Sequence, residues 1–135
     1  RYLGEPAAEI EFDYDADGKP RLRRPSALSF NLSHSDGWAL LGVTSGSRLG
    51  VDLEHARRGR AFEDIAERFF AADEQHALKA AKREERPLLF YRAWTQKEAY
   101  LKAWGTGLRF PSSAFSISMN PNEPPRITAT SMPGD

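Results

Sequence analysis

The sequence predicts an α+β fold, with helices packed on one face of an antiparallel sheet. Strand-like segments lie before and after a helical block. At Phe62 the apolar spacing changes from alternation to the period of a helix. No Gly-rich turn of the phosphate-loop or dinucleotide type joins a strand to a helix. Strands gathered at the two ends of the chain with helices between them form such a layered domain.

Each element has its own signal. Gly4-Glu5-Pro6 reads as a turn. Glu9 to Tyr14 alternates, with Ile10, Phe12 and Tyr14 on one face, which predicts a short strand. Asp15 to Pro20 is a tight turn marked by Asp17-Gly18. The basic run Arg21-Leu22-Arg23-Arg24 and Pro25 read as loop. Leu28 to Leu32 is strand-like and enters a polar turn at Ser33-His34-Ser35-Asp36-Gly37. Trp38 to Thr44 is apolar and predicts a buried strand. Ser45-Gly46-Ser47 is expected to join it, as a hairpin, to a strand over Arg48 to Glu54. Phe62, Ile65, Ala66, Phe69 and Phe70 form the stripe of a first helix. Ala72-Asp73-Glu74 opens a second running toward Lys82, with Asp73 as cap or first-turn acid. Glu84 to Pro87 breaks the pattern, and Pro87 suits the first turn of a third helix over Leu88 to Trp104. Gly105 and Gly107 end it. Ser113 to Ser118 and Arg126 to Thr130 read as two last strands, and Met132 to Asp135 as a loose tail.

The 135 residues fit one domain, and three Trp, four Tyr and eight Phe supply material for a core. Nineteen Lys and Arg balance nineteen Asp and Glu, so no net charge draws the chain to nucleic acid or an anionic membrane. No apolar run approaches a membrane span, and no signal peptide is visible. Absent cysteine excludes disulfides, thiolate catalysis and cysteine metal sites, and is compatible with the cytoplasm, the expected location. No repeat or linker divides residues 1–135, which are read as a single domain.

The groups that bear chemistry lie in two places. On the third helix Tyr91, Trp94, Glu98, Leu101 and Gly105 share a face. Four suit an interior, but Glu98 there is costly unless paired. Lys102, one turn on, or Lys97 beside it could pair with it, and so could a metal ion. Asp52 and Glu54 lie two apart on an expected strand, both on one face, with Val51 and Leu53 as core on the other. Taken alone, such an acid pair is more often a solvated strand end. Together with Glu98 it forms an all-oxygen donor set, which suits a hard cation such as Mg²⁺ completed by water and phosphate. An ion pair and a metal site both remain open on these grounds. Lys97 and Lys102 would neutralise charge on a phosphate group, although Lys97 reads more simply as surface. Ser33 and His34 could bind a phosphate at a strand end. They make no convincing hydrolase triad, because no nucleophile elbow surrounds the serine.

Three stretches together resemble the 4′-phosphopantetheinyl transferase superfamily, in its surfactin-synthetase-activating type. They are Phe30 to Ser35, Leu49 to Glu54, and Trp94 to Lys102 followed by Gly105-Thr106-Gly107-Leu108. Gly18-Lys19-Pro20, the Phe69-Phe70 pair and the acidic helix start after it are similar as well. Thr95 stands where Ser is commoner. The resemblance covers about Gly18 to Ile117. It implies transfer of the phosphopantetheine arm of coenzyme A to a serine of an acyl or peptidyl carrier protein, with release of 3′,5′-ADP. It implies Mg²⁺ on Asp52, Glu54 and Glu98. Glu98 would help deprotonate the serine, and Lys102 would stabilise charge on the pyrophosphate and leaving group. Lys19, Ser33 and His34 carry over as coenzyme A contacts, with Lys97 in a weaker supporting role.

Monomeric members of this type resemble two similar α+β units in tandem. This chain, which begins at Arg1 without methionine, matches the C-terminal unit and is expected to be part of a longer protein or a truncated member. Self-association or pairing with a separate chain is the corresponding expectation. Two alternatives stand beside the transferase. One is a non-catalytic module that holds coenzyme A or a carrier protein. The other is an unrelated α+β domain with a buried Glu98–Lys102 pair.

Overall fold

The computed structural model describes residues 2–57, 61–105 and 110–130. In chain order the elements are a 3₁₀ turn at Ala7–Glu9, β1 (Phe12–Tyr14), β2 (Pro20–Leu22), β3 (Leu28–Ser35), β4 (Trp38–Ser45), α1 (Phe62–Phe69), α2 (Ala72–Ala80), α3 (Arg86–Trp104), a 3₁₀ turn at Ser112–Ala114, β5 (Phe115–Ile117) and β6 (Ile127–Thr130). The α+β class holds. The three helices and β5 make the core, which joins Phe62, Ala66, Leu78, Phe90, Tyr91, Leu101, Phe115 and Ile117. Phe90 is its centre, stacked on Phe70 at 5.3 Å and close to Phe62 at 5.5 Å.

The helix ends follow from local chemistry. Pro87 sits in the first turn of α3, where a missing N–H breaks no intrahelical bond. Gly105, at φ 67°, closes the helix by donating its N–H to Leu101 O at 3.0 Å. Gly107 lies outside the described residues, as does the expected tail from Met132. At the start of α2, Ala71 has no side chain to cap with. Glu74 Oε2 instead accepts the Ala71 N–H at 2.8 Å. Asp73 is the first-turn acid expected, and it accepts the Ser116 hydroxyl at 2.7 Å.

The strands depart further from expectation. Among the described residues they form three separate two-stranded antiparallel ladders, β1–β2, β3–β4 and β5–β6, rather than one sheet. Pro20–Leu22, expected as loop, pairs with Phe12–Tyr14 across the Asp15–Lys19 turn. Asp15 Oδ1 holds that turn by accepting the N–H groups of Asp17 and Lys19. The strand from Leu28 continues through Ser35, and the reversal is confined to Asp36 and Gly37, both at positive φ. That two-residue turn pairs β4 with β3, Leu28 opposite Ser45 and Ser35 opposite Trp38. The expected hairpin between Trp38–Thr44 and Arg48–Glu54 therefore does not form. Nor is β4 buried. Trp38 is 75% and Leu41 59% exposed, because only the end near Gly42 is covered, by Leu49 and Val51. The last two expected strands form and pair with each other, with a register shift at Ser116/Ile117.

Candidate active site

Residues 49–55 run extended without joining a backbone ladder. Alternate side chains of β3 hold them instead. Asn31 Oδ1 accepts the Val51 N–H at 2.7 Å, Ser33 Oγ the Leu53 N–H at 3.1 Å, and Ser35 Oγ the His55 N–H at 3.0 Å. Positions 31, 33 and 35 share one face of β3, so its two-residue period is copied onto the segment. The other side of the segment is pressed on α3. A Cβ on Gly50 would lie 1.8 Å from Ala99 O and 2.4 Å from Ala103 N. Only glycine permits that approach, and it brings Asp52 against the helix.

Asp52 meets Lys102 there. The ammonium donates to Asp52 Oδ1 at 2.5 Å and to Ser33 Oγ at 3.3 Å, and the Ser33 hydroxyl donates to Asp52 Oδ1 at 3.3 Å. The Asp52 side chain is 6% exposed, and its Oδ2 is buried with no hydrogen-bond partner. A buried carboxylate oxygen without a donor is costly, and it marks a place where a ligand or cation would be held. Glu98 is half-buried. Burial above all, then the charge of Asp52, and less strongly that of Glu54, push its carboxyl above the ordinary range, against the opposing pull of Lys102. Asp52, Glu54, Glu98 and Lys102 therefore share one electrostatic site. Glu98 also lines a cavity of about 520 Å³ walled by Ile65, Phe69, Trp94, Leu101 and Phe110, with Arg68 at its side. Among the described residues, no three Asp, Glu or His side chains already stand within ligating range of one point.

The remaining expected contacts are placed differently. Lys102 pairs with Asp52 on the neighbouring segment rather than with Glu98 on its own helix. Ser33 and His34 point to opposite faces of β3. Ser33 is buried in the lattice just described and His34 is exposed, so the two do not converge on one phosphate. Lys19 does not project into open space. It donates to Leu49 O at 3.1 Å and to Lys102 O at 2.5 Å, a cation at the C-terminal carbonyls of α3. Burial lowers its pKa, although Asp15 opposes the shift.

Lys97 is the clearest correction. It is neither at the surface nor in position to touch a cofactor. Its ammonium is fully buried and donates to Glu74 Oε1 at 2.8 Å, Glu74 Oε2 at 2.7 Å and Phe115 O at 2.6 Å. Burial lowers its pKa more than Glu74 raises it. Glu74 also accepts the N–H groups of Ala71 and Ile117, so the pair ties α2, α3 and β5 together. The sequence carries a signal for this: Phe90, Ala93, Lys97 and Leu101 recur at helical spacing, a second buried stripe beside the one expected. Asn31 also went unassigned, though Asn31, Ser33 and Ser35 alternate as small hydrogen-bonding residues.

The fold and this site define a class. A profile of the 4′-phosphopantetheinyl transferase superfamily matches residues 48–134, and the chain belongs to that superfamily. Among curated relatives, it is 40% identical to the 4′-phosphopantetheinyl transferase HetI of Nostoc sp. over 129 residues, covering 93% of this chain and 54% of that protein. It is 32% identical to the 4′-phosphopantetheinyl transferase Sfp of Bacillus subtilis over 113 residues, 84% of this chain and 49% of the other. The human L-aminoadipate-semialdehyde dehydrogenase-phosphopantetheinyl transferase is 31% identical over 130 residues, 88% of this chain and 42% of that protein. The chain thus spans about half the length of the relatives it matches. No helix among the described residues is long and apolar enough to cross a membrane.

Proposed function

We propose that this chain carries the chemical site of a 4′-phosphopantetheinyl transferase, moving the arm of coenzyme A to a carrier-protein serine and releasing 3′,5′-ADP. The observation that carries this reading is the buried, donor-free Asp52 Oδ2 beside Lys102 and an elevated Glu98. A structural ion pair would have no use for the spare acceptor oxygen.

The residues suit Mg²⁺. Their donors are all carboxylate oxygens, and Asp52 Oδ2 is free to accept a cation while Oδ1 keeps Lys102. Mg²⁺ commonly takes only one or two carboxylates with water and phosphate, so a preformed three-carboxylate cage is not required. Asp52, with Glu54 and Glu98 next to it, would hold the ion, which would neutralise charge on the pyrophosphate. Lys102, fixed by Asp52 and Ser33, places a positive charge for the leaving phosphate. Glu98 is the proton acceptor for the carrier serine, its basicity raised by burial and the neighbouring acids. The apolar cavity beside it offers a water-poor seat for an extended arm or a carrier side chain.

Incubation with coenzyme A, Mg²⁺ and an apo carrier protein tests this by mass. One phosphopantetheine is gained by the carrier, and the gain is lost in Glu98→Ala and Asp52→Ala. The half-length match to known relatives favours one other reading, a module that binds coenzyme A without transfer. Folded protein that retains coenzyme A and modifies no carrier would select it.

A further inference from the structure

Lys97 and Glu74 form a buried charged pair that the proposed reaction does not use. The pair is chemically closed. All three ammonium hydrogens are placed, two on Glu74 and one on Phe115 O. Each Glu74 oxygen takes one bond from Lys97 and one from a backbone N–H, of Ile117 at Oε1 and of Ala71 at Oε2. The Phe115 ring lies 4.2 Å from the same ammonium. Asp52, by contrast, keeps an oxygen in reserve. With every bond made, the pair has no place for a ligand. Stability alone does not account for it either. Two apolar side chains of similar volume would hold this core at least as well, because buried ions give up their hydration. What apolar contacts lack is direction. An apolar face can turn a few degrees against Phe70 and Phe115, whereas three short hydrogen bonds fix one orientation.

Orientation matters because Lys97 directly precedes Glu98 on α3. Successive residues turn about 100° round an α-helix, so Glu98 stands about 100° and Lys102 about 140° from Lys97. Ala99 and Ala103, whose backbone meets Gly50, stand further round, at about 200° and 240°. The helix is thus held at two places on its circumference, by the ion pair and by the acid segment. Glu98 and Lys102 occupy the arc between them. Side-chain ends lie about 5–6 Å from the helix axis, so a turn of about 10° moves the Glu98 carboxylate by about 1 Å. We propose that Glu74, acting through Lys97, is a positioning residue that sets the rotation of α3 and so aims Glu98 and Lys102 into the site. What Glu98 acts on, the carrier serine, rests on the transferase reading, and the pinning of the helix does not. A misplacement of about 1 Å costs on the order of 10²-fold in rate, so a residue remote from the chemistry governs kcat without touching substrate.

The test combines Lys97→Met with Glu74→Gln, which removes both charges, nearly keeps the volume and leaves no buried ion. Carrier modification is followed by mass with coenzyme A and Mg²⁺, and rates are taken per folded molecule from circular dichroism. The double variant should lose kcat ~10²-fold while its KM for coenzyme A stays within ~2-fold. Glu74→Asp keeps both charges but shortens the tether by one bond, about 1.5 Å, and should lose kcat ~10-fold with KM again held. It decides the matter should the double variant fail to fold. Leu78→Ala removes apolar packing from the same helix α2 and leaves the bonds of the pair in place, so its kcat per folded molecule should equal the parent's. A parental kcat in the folded Glu74 variants, or an equal fall in Leu78→Ala, overturns the positioning role. A crystal structure of either Glu74 variant supplies a readout that needs no turnover. In it α3 should be turned against residues 49–55 by about 5° or more, and an unturned helix overturns the proposal. If the parent modifies no carrier, the transferase reading falls alone, and the rotation still decides whether the pair pins the helix.

Discussion

Gly50→Ala is the substitution that most directly tests how the acid segment is seated. Its Cβ would fall 1.8 Å from Ala99 O and 2.4 Å from Ala103 N, both backbone atoms of α3, where real Cβ contacts essentially never come under 3.0 Å. Neither atom can swing aside as a side chain would. The segment must therefore back away from the helix by about 1.2 Å or more, the difference between the two distances. A shift of that size, taken up along the bond, carries the 2.5 Å Asp52–Lys102 contact past the limit of a hydrogen bond and loosens the Lys19 bond to Leu49 O. Overpacking against backbone costs about 3 kcal/mol, roughly a 10 °C fall in Tm for a chain of this length. Gly42→Ala is the matched control. Its Cβ meets only the side-chain ends of Val51 and Leu49, at 2.8 and 2.9 Å, which can rotate, so about 1 kcal/mol is expected. Thermal melts by circular dichroism compare the two, and the carrier assay reports whether Asp52 has moved. A Gly50→Ala melt equal to or above that of Gly42→Ala would refute the close docking of residues 49–55 on α3.

Lys97→Met should lose about 3–5 kcal/mol in urea unfolding, because Glu74 is left charged and buried. Adding Glu74→Gln should restore about 2 kcal/mol of that loss, whereas simple additivity would show that the pair is not coupled. Glu98 has a folded pKa raised above its ordinary 4.5, so its protonation favours the fold below 4.5 and that contribution is lost as pH rises through the elevated value. Glu98→Gln should therefore be more stable than the parent at pH 7 and no more stable at pH 4, while abolishing transfer. A stability difference independent of pH would contradict the shift. Asn31→Ala strips the Val51 N–H of its acceptor and should cost about 1–3 kcal/mol. Amide exchange at Val51 should accelerate, and Asn31→Asp, which keeps an acceptor oxygen, should preserve its protection.

The helices were legible because an apolar period of three to four residues is written along the chain itself. Even Pro87 and Gly105 act as their chemistry foretells. Strand pairing was less legible. The Asp36-Gly37 reversal decides that β4 pairs backward with β3, yet Ser45-Gly46-Ser47 is an equally good turn by composition. β2 is three residues with a proline and an arginine, too short and too polar to alternate visibly. At the site, Asp52 and Glu98 stood out because acids beside apolar residues need a reason. Lys97 reads as a surface residue from sequence because its partner, Glu74, lies 23 residues away, and sequence spacing reports neighbours on one helix only. Lys19 and Ser33 look like ligand-binding residues, but they serve main-chain groups, and residue type does not say whether a donor will face a phosphate or a carbonyl.

The way β3 holds the acid segment inverts the usual tolerance of a strand to substitution. In an ordinary ladder the backbone makes the bonds, and side chains at alternate positions vary freely so long as they suit their face. Here Asn31, Ser33 and Ser35 make the bonds themselves, so each must stay a small acceptor of the right length. A conservative-looking change, Ser33 to alanine or Asn31 to leucine, would erase one rung, while changes at the exposed Leu32 and His34 between them would leave the rungs intact. Variation along this stretch should thus fall in alternation. The positions fixed by this lattice would be the ones that look least chemical, while His34, the one histidine within Asn31 to Ser35, carries none of its rungs.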